Sequence, residues 1–355
     1  MVAALRAPRS PWQLLYGGAH RLRERWWRRR ARALPRPVVS VGNLSWGGAG
    51  KTPLVAALAA HLCDRGHRVA VLSRGYRRRG RGVVLVSTWS EGPLVGPLLA
   101  GDEPVLLAGE LAGVAVVVGA DRFRAGRAAL ERLSPAPDLF VLDDGFSHLA
   151  LARDLDLLAL PATDPWAGGR LPPGGRLREP LAAAHRAHAV LLTGLGATPE
   201  AAREVGRALS RFGFGGPAFA APTRAGEARL PGGRPLAAGA RLLLVSGIMR
   251  PAAFREAALA QGLTVAGECA FPDHHAYPQP SLSRIEAAFR TARADAVLAT
   301  GKDAVKLHGR LGLPLAELPI RAEPEPGFWP WLEERLHGLL TAWPPSPPEG
   351  GRGAG

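Results

Sequence analysis

A glycine-rich segment that ends in Lys51-Thr52 is the part of the sequence best suited to phosphate chemistry. It reads SVGNLSWGGAGKTP. In such a loop the main-chain amides and the positive end of the next helix hold phosphate oxygens, the lysine reaches the terminal phosphates, and the threonine hydroxyl ligates magnesium. The strict pattern has glycine where this chain has Ser45, so a glycine-rich turn without a ligand remains an alternative. The candidate nucleotide-binding residues are Ser45, Trp46, Gly47, Gly48, Ala49, Gly50, Lys51 and Thr52.

Lysine is scarce, and its three positions fall in two short segments. The 45 Lys and Arg residues include only Lys51, Lys302 and Lys306, the last two within TGKDAVKL. A lysine kept in an arginine-rich chain indicates a site that needs a compact point charge rather than a planar fork. We therefore expect Lys51 to contact a nucleotide, while the other two have no assigned role.

An apolar run ending in two carboxylates, Leu139 to Asp144, is the candidate magnesium site. In phosphate-loop proteins the strand beside the loop commonly ends this way, and its carboxylate binds magnesium directly or through water. A strand followed by an Asp-Gly turn is the alternative. His148 follows closely and either faces the same site or caps the next element.

Three further polar clusters are candidates for proton transfer and phosphate contact. Asp102 lies in GDEP, where it either acts chemically or serves as a helix N-cap. Asp273-His274-His275 lacks further ligands at metal spacing, so we favour a carboxylate or imidazole that accepts a hydroxyl proton over a zinc site. Arg178-Glu179 follows the loop LPPGGR and presents either a phosphate contact or a surface ion pair.

The elements that position these residues are predicted from apolar periodicity. Val- and Leu-rich runs alternate with helical stretches, which favours a mainly parallel sheet covered by helices on both faces. A Gly- and Pro-rich stretch around 212–239 indicates a connection to a smaller α/β domain. The predicted first-domain strands are 37–41, 68–73, 82–86, 114–119, 139–144, 155–160 and 188–193, and the second-domain strands are 241–246, 264–270 and 296–300.

Charge and composition restrict the partners. The net charge is +15 in 355 residues, part of which reflects abundant arginine. Residues 21–36 cluster arginines around Trp26 and Trp27, after the apolar stretch that begins at Trp12. This favours a helix lying on an anionic membrane surface, with nucleic-acid binding or a solvated helix as alternatives. Because no nucleic-acid module accompanies it, we expect no nucleic-acid partner, and we see no obligate protein partner.

Cysteine usage and hydropathy indicate an intracellular protein without a membrane span. Cys63 and Cys269 are far apart and form no metal-binding pair, so both are expected to be reduced. The chain has no run of ~18 apolar residues and no signal-peptide pattern at its start. The domains expected are an N-terminal membrane-associating segment (1–36), a kinase core (37–222), a smaller lid (223–342) and a disordered tail (343–355).

Ten segments, taken in order, resemble the tetraacyldisaccharide 4'-kinase family, the lipid A precursor kinases of Gram-negative bacteria. Together they cover most of the chain between residues 37 and 307. In this family a hydroxyl residue is usual at the position of Ser45. The segments are VGNLSWGGAGKTP, LSRGY, GDEPVLLA, ADR, LDDGFSH, LARDLDL, LPPGGRLREP, SGIMRP, FPDHHAY and TGKDAVKL.

The resemblance implies a fold, a reaction and a location. The fold would be a phosphate-loop NTPase-like core with a smaller α/β lid domain. The reaction would transfer the γ-phosphate of ATP, with Mg²⁺, to the 4'-hydroxyl of tetraacyldisaccharide 1-phosphate and yield lipid IVA. The location would be the cytoplasmic face of the bacterial inner membrane, held peripherally.

Residue roles carried over from the family are expectations at matching positions. Lys51 would contact the β- and γ-phosphates, Thr52 the magnesium, and Asp143 and Asp144 would ligate or support the metal. Asp102 would be the catalytic base, assisted by His274, with the two brought together by lid closure. Substrate contacts are expected from Arg74, Arg122, His148, Arg178 and Glu179.

The sequence departs from the usual family pattern in two segments. Ser147 replaces the usual glutamine of DDGFQH, and SGIMRP differs from the usual GIGNP-like loop.

Two alternative functions are open from the sequence. Another phosphate-loop NTPase, such as a metal-chaperone GTPase, is one alternative, although no NKxD guanine motif is present. A basic membrane- or nucleic-acid-binding adaptor that uses nucleotide only as a switch is the other.

Overall fold

The first of two parallel sheets contains eight strands and is built from the first two-thirds of the chain. The structure, a computed structural model, describes residues 11–342. Expectations for residues 1–10 and for the tail 343–355 lie outside the described residues. The strand order is β3-β4-β2-β5-β1-β6-β7-β8, and only the pairing of β3 with β4 is antiparallel. The strands are β1 Val38–Gly42, β2 Val69–Ser73, β3 Val84–Ser87, β4 Ala115–Val118, β5 Leu139–Asp143, β6 Leu155–Pro161, β7 Ala189–Thr193 and β8 Ala218–Ala221.

Helices cover both faces of this sheet because its central strands are apolar on both sides. In β1, Val39 and Val41 pack with α2, whereas Val38 belongs to the core on the α5 side. All five residues of β1 and of β5 are buried, as expected for central parallel strands. The helices described up to β8 are α1 Pro11–Arg28, α2 Lys51–Asp64, α3 Pro97–Ala100, α4 Asp102–Glu110, α5 Arg122–Arg132 and α6 Pro199–Ser210.

The second sheet has four parallel strands and its own apolar core. Its order is β11-β10-β12-β13. Phe271, Tyr277 and Ile285 are buried on one face of the sheet, and Phe254 lies in the core on the other. Its elements are β10 Arg241–Ser246, α7 Pro251–Ala260, β11 Thr264–Ala270, α8 Gln279–Ala292, β12 Ala296–Thr300, α9 Gly301–Leu307 and β13 Leu315–Leu318.

Two short strands connect the halves, and the final helix returns to the first sheet. The strands β9 Thr223–Ala225 and β14 Ile320–Ala322 pair antiparallel. The helix α10 Phe328–Ala342 then buries Phe328, Leu332 and Leu336 in the core that contains α2. The sequence prediction placed this helix with the second domain, whereas its apolar face packs on the first.

The predicted fold class is confirmed: a phosphate-loop, mainly parallel sheet is joined to a smaller α/β domain. One predicted strand, 82–86, differs in its role, since β3 is an antiparallel edge strand. Among the described residues, no helix is both long enough and apolar enough to cross a bilayer.

Candidate active site

The predicted phosphate loop leaves the buried strand β1 and enters α2 at Lys51. Its last residue, Gly50, has φ 62°, a left-handed conformation that favours glycine. A Cβ at Gly50 would lie 3.1 Å from the Thr193 Cβ, and the Thr193 hydroxyl donates to the Ala49 carbonyl at 2.8 Å. No acidic residue occupies the first turn of α2, so its positive end is free to attract an anion. All eight predicted nucleotide-binding residues lie in this loop and first turn.

Asn43 and the segment around Arg176 hold the first half of the loop. The buried Asn43 side chain donates to the Ser45 carbonyl at 2.8 Å and accepts from the Lys51 ammonium at 3.1 Å. The Trp46 amide donates to the Arg176 carbonyl at 2.9 Å. Asn43 was not among the predicted site residues, although its place in the motif GNLS was the available signal.

Asp143 and Asp144 lie beside the loop because β5 pairs directly with β1. Asp143, at the end of the strand, is 7% exposed and accepts from the Ser73 hydroxyl at 2.9 Å. Burial and the neighbouring Asp144 charge raise the pKa of Asp143. Asp144 has φ 53°, and one of its carboxylate oxygens lies 3.4 Å from the Lys51 ammonium.

Arg178 completes the charge arrangement around Asp144. Two guanidinium nitrogens of Arg178 each donate to the Asp144 carboxylate at 3.1 Å, forming a bidentate pair. Burial alone would raise the pKa of Asp144, but Lys51 and Arg178 outweigh it and hold this pKa well below its usual range. Asp144 is therefore ionised at neutral pH and links the phosphate loop to the LREP segment.

The oxygen donors here match the preferences of magnesium more than those of zinc. Among residues 11–342 there is no cluster of three or more His, Cys, Asp or Glu side chains arranged to hold a metal ion. Magnesium, however, is commonly held by one or two carboxylates together with substrate phosphates. The Thr52 hydroxyl and the carboxylates of Asp143 and Asp144 supply such a partial set.

Arg122 and His148 form a basic cluster near the two aspartates, in which the Arg122 charge acts on His148 and the charges of both aspartates act on Arg122. Arg122 is 4% exposed, and burial lowers its pKa to about 10, although the charges of Asp143 and Asp144 oppose this. Burial, then the charges of Arg122 and Arg153, lower the pKa of His148 to about 4, so its ring is neutral at pH 7. Arg122 Nε and His148 Nε2 are buried and have no hydrogen-bond partner among the described residues. Arg74 is exposed, and its charge acts on Arg122.

Glu179 is fully buried beside α1. Its carboxylate oxygen Oε2 lies 3.1 Å from His20 Nε2 of α1 and is paired with Arg186. The predicted substrate contact of Glu179 stays a prediction, because its other oxygen, Oε1, is buried without a hydrogen-bond partner among the described residues. The contact with His20 connects α1 to the LREP segment of the first domain.

Asp102 and His274 meet across the two halves of the molecule. Asp102 is the first residue of α4, and Gly101, not Asp102, is the N-cap residue. His274 lies in the loop after β11, with its Nδ1 3.8 Å from Asp102 Oδ2. His274 has φ 58°, and its amide donates to the Gly247 carbonyl at 3.0 Å, which fixes the loop.

Lys306 also contacts Asp102 and was given no role by the sequence analysis. Its ammonium lies 3.5 Å from Asp102 Oδ2, on the opposite side of the domain interface. Burial is the main influence on Asp102 and raises its pKa, while Lys306 opposes this shift. The scarcity of lysine and the place of Lys306 in the TGKDAVKL segment were the sequence signals that pointed to this residue.

A strand, glycine loop, Lys-Thr and helix beside two aspartates at the end of the adjacent strand define a phosphate-loop nucleotide-binding protein. The family model for tetraacyldisaccharide-1-P 4'-kinase matches residues 6–337. The chain belongs to this family.

Similar proteins agree with that assignment. A tetraacyldisaccharide 4'-kinase of Geobacter metallireducens is 42% identical over 291 residues, which cover 80% of this chain and 83% of the relative. One from Anaeromyxobacter sp. is 45% identical over 276 residues, covering 76% and 73%. A crystal structure of LpxK from Aquifex aeolicus, an "apo" form in complex with ATP, has a TM-score of 0.73 and 32% identity, covering 93% of this chain and 98% of that one.

Proposed function

We propose that the protein transfers the γ-phosphate of ATP to the 4'-hydroxyl of tetraacyldisaccharide 1-phosphate, which yields lipid IVA in lipid A biosynthesis. The observation that carries this proposal is the contact of Asp102 with His274 beside a phosphate loop. The charge of Glu103, the neighbour of Asp102, raises the pKa of Asp143, which supports placing the proton acceptor near the phosphate site. Family membership supplies the substrate.

The phosphate loop and its partners bind and orient the nucleotide in this proposal. Lys51 exchanges its contact with Asp144 for β- and γ-phosphate oxygens, and the loop amides hold the same phosphates. Thr52 and Asp143 hold Mg²⁺, with Asp144 in support. When bound, Mg²⁺ neutralises the charge that develops on the phosphates. Arg178 keeps Asp144 aligned with the loop through its bidentate contact.

Asp102 accepts the proton of the attacking hydroxyl. The sugar oxygen forms a bond to the γ-phosphorus, the bond from this phosphorus to the β–γ bridging oxygen breaks, and ADP leaves. The hydroxyl proton moves to the Asp102 carboxylate, while His274 orients that carboxylate and shares its charge. Because the two residues lie on different domains, the proton acceptor is complete only when the domains meet.

Arg122 and His148 are the proposed contacts for the anionic substrate, with Arg74 and Arg178 at the margins. Buried donors without partners gain most from a phosphate or hydroxyl that satisfies them. The backbone carbonyl of Ser147 accepts a hydrogen bond from Arg23 of α1 at 2.9 Å, so the family's usual glutamine position is tied here to the N-terminal helix.

An exposed apolar stripe on α1 supports attachment to an anionic membrane. Trp12, Leu15, Leu22 and Trp26 recur at helical spacing and are between 48% and 67% exposed. The opposite side of α1 already contacts the protein, for example through the Tyr16 hydroxyl, which donates to the Arg178 carbonyl at 3.1 Å. The stripe is therefore free for lipid, and exposed arginines flank it. We place the protein at the cytoplasmic face of the inner membrane, where its substrate's acyl chains lie.

We propose the same division into two domains that the sequence predicts. Residues 37–222 form the kinase core and 223–342 the lid, with α10 as a segment of the lid sequence that packs on the core.

Product formation tests the activity. The protein is incubated with ATP, Mg²⁺ and detergent-dispersed tetraacyldisaccharide 1-phosphate, and the lipid mass is measured. We expect one added phosphate with the wild type and none with Lys51→Ala. No mass increment with the wild type, or equal product from Lys51→Ala, would reject the proposal.

Liposome flotation tests the membrane contact. Leu15→Glu with Leu22→Glu places two charges in the stripe and should abolish binding to anionic vesicles. Leu259→Glu is the matched control, because Leu259 is 47% exposed on α7, outside the stripe. Unchanged flotation of the α1 variant, or equal loss with the control, contradicts the proposed surface.

A further inference from the structure

Two lysines of α9 contact two consecutive acids at the start of α4. Lys302 Nζ lies 2.7 Å from Glu103 Oε1, and Lys306 Nζ lies 3.5 Å from Asp102 Oδ2. Residues four apart share one face of a helix, so α9 presents both ammonium groups to α4 together. These contacts join the two domains and use both lysines that lie outside the phosphate loop.

Lys306 is held rigidly from its own side of the interface. Its side chain is 7% exposed and its ammonium lies 3.0 Å from Asp303 Oδ1. Asp303 is fully buried and accepts from the Gly247 amide at 2.8 Å and from the Thr300 hydroxyl at 2.7 Å. The ammonium also lies 5.3 Å from the centre of the Tyr277 ring. The cation therefore has a fixed position before it meets Asp102.

We propose that Lys306 is a positioning residue for phosphoryl transfer: it orients Asp102 and keeps this carboxylate ionised when α9 and α4 are in contact. This inference rests on the proposed function, in which Asp102 accepts the hydroxyl proton. Asp102 can then act as the base only when α9, which carries Lys306, is in contact with α4.

Among the charged groups that face Asp102, Lys306 opposes the effect of burial on the Asp102 pKa most strongly. Burial raises the pKa of Asp102, Lys306 is the strongest influence that lowers it, Glu103 raises it and His274 lowers it further. Tyr277 also faces this charge, and its own pKa is raised by burial and by Asp303 and Asp102. A protonated Asp102 cannot accept a proton, so loss of Lys306 raises the pH at which the base becomes active.

A compact ammonium suits the space between Asp303, Tyr277 and Asp102 better than a planar guanidinium does. This accounts for a lysine at 306 in a chain that otherwise uses arginine. Lys302 provides the matched comparison, because it lies on the same face one turn earlier but contacts Glu103 and is 36% exposed.

The pH dependence of kcat/KM for lipid phosphorylation tests the inference. Lys306→Met should move the acidic limb upward by about 1–3 pH units, the range for removing an opposite charge at this distance. Lys302→Met also removes one positive charge from the interface, but Lys302 contacts Glu103 rather than Asp102, so the limb should shift clearly less than in Lys306→Met. An unmoved limb in Lys306→Met, or equal shifts in both variants, overturns the proposal.

A second variant separates the effect of the Lys306 charge on Asp102 from an effect of misfolding. Lys306→Met leaves Asp303 buried without its cation, which destabilises the second domain. Lys306→Met with Asp303→Asn removes both charges, and its limb should shift as in the single variant while its thermal unfolding stays near wild type. A folded double variant with a wild-type limb refutes the inference. Absence of product with the wild-type protein would instead reject the proposed function itself.

Discussion

Glu179→Gln should destabilise the protein strongly, because it removes a fully buried charge from between two basic partners. Burial alone raises the pKa of Glu179, but hydrogen bonding from His20 and the charge of Arg186 outweigh it and lower the pKa from 4.5 to about 2. At about 1.4 kcal/mol per pKa unit this corresponds to about 3 kcal/mol of stability at pH 7. Because the folded-state pKa is depressed, this contribution is present above pH 4.5 and is lost as the pH falls toward 2.

Urea unfolding of wild type and Glu179→Gln measures this difference. We expect about 3 kcal/mol at pH 7 and about 2 kcal/mol at pH 3.5, because part of the wild-type charge contribution is lost there. The anchor of α1 is also removed, so trypsin should cleave the arginines of α1 faster in the variant. Glu200→Gln is the matched control, since Glu200 is exposed and pairs with Arg203 at 2.9 Å, and we expect no measurable change.

Two results refute this reasoning about Glu179. One is a destabilisation below about 1 kcal/mol at pH 7, which would mean that the buried network is replaced by solvent at little cost. The other is a difference that stays constant between pH 7 and pH 3.5, which would show that the lost stability does not come from the ionised carboxylate.

Three further substitutions probe the cleft. Asp102→Asn should lower kcat about 10²- to 10⁴-fold while leaving the KM for ATP unchanged, and steady-state kinetics would contradict the base assignment if kcat were retained. Arg178→Lys loses the bidentate contact to Asp144, so we expect weaker ATP binding by calorimetry, and unchanged affinity would refute the linking role. Gly42→Ala places a Cβ 2.4 Å from the Phe146 Cβ, so thermal unfolding should show a loss of about 1–3 kcal/mol, and an unchanged transition would exclude the clash.

The phosphate site was predictable because its determinants are local in sequence. The run before Gly42, the glycine loop and the helix that begins at Lys51 form one continuous unit, and each part favours the same conformation. The apolar run that ends at Asp143 is equally local. Its position beside β1 follows from the general behaviour of parallel sheets, in which the carboxyl ends of neighbouring strands meet at one edge.

The remaining site features depend on distant contacts that no local pattern reveals. The segment LREP alone suggests that Glu179 is an exposed acid. Its partner His20 lies in α1, so its burial becomes visible only in the folded structure. Lys306 and Asp102 are likewise far apart in sequence and meet only at the interface. The amphipathic pattern of α10 predicts a helix but does not say which of two sheets covers Phe328.

The antiparallel pair β9 and β14 brings the two ends of the second sheet's segment together. The Glu323 amide donates to the Pro222 carbonyl at 2.8 Å, and the Glu325 amide donates to the Ala220 carbonyl at the same distance. The chain thus leaves and re-enters the first domain at neighbouring points, much as it would across a short turn. The half that carries His274 and Lys306 therefore begins and ends at neighbouring points of the first half, and the chain continues from there into α10, whose buried face packs on the core that contains α2.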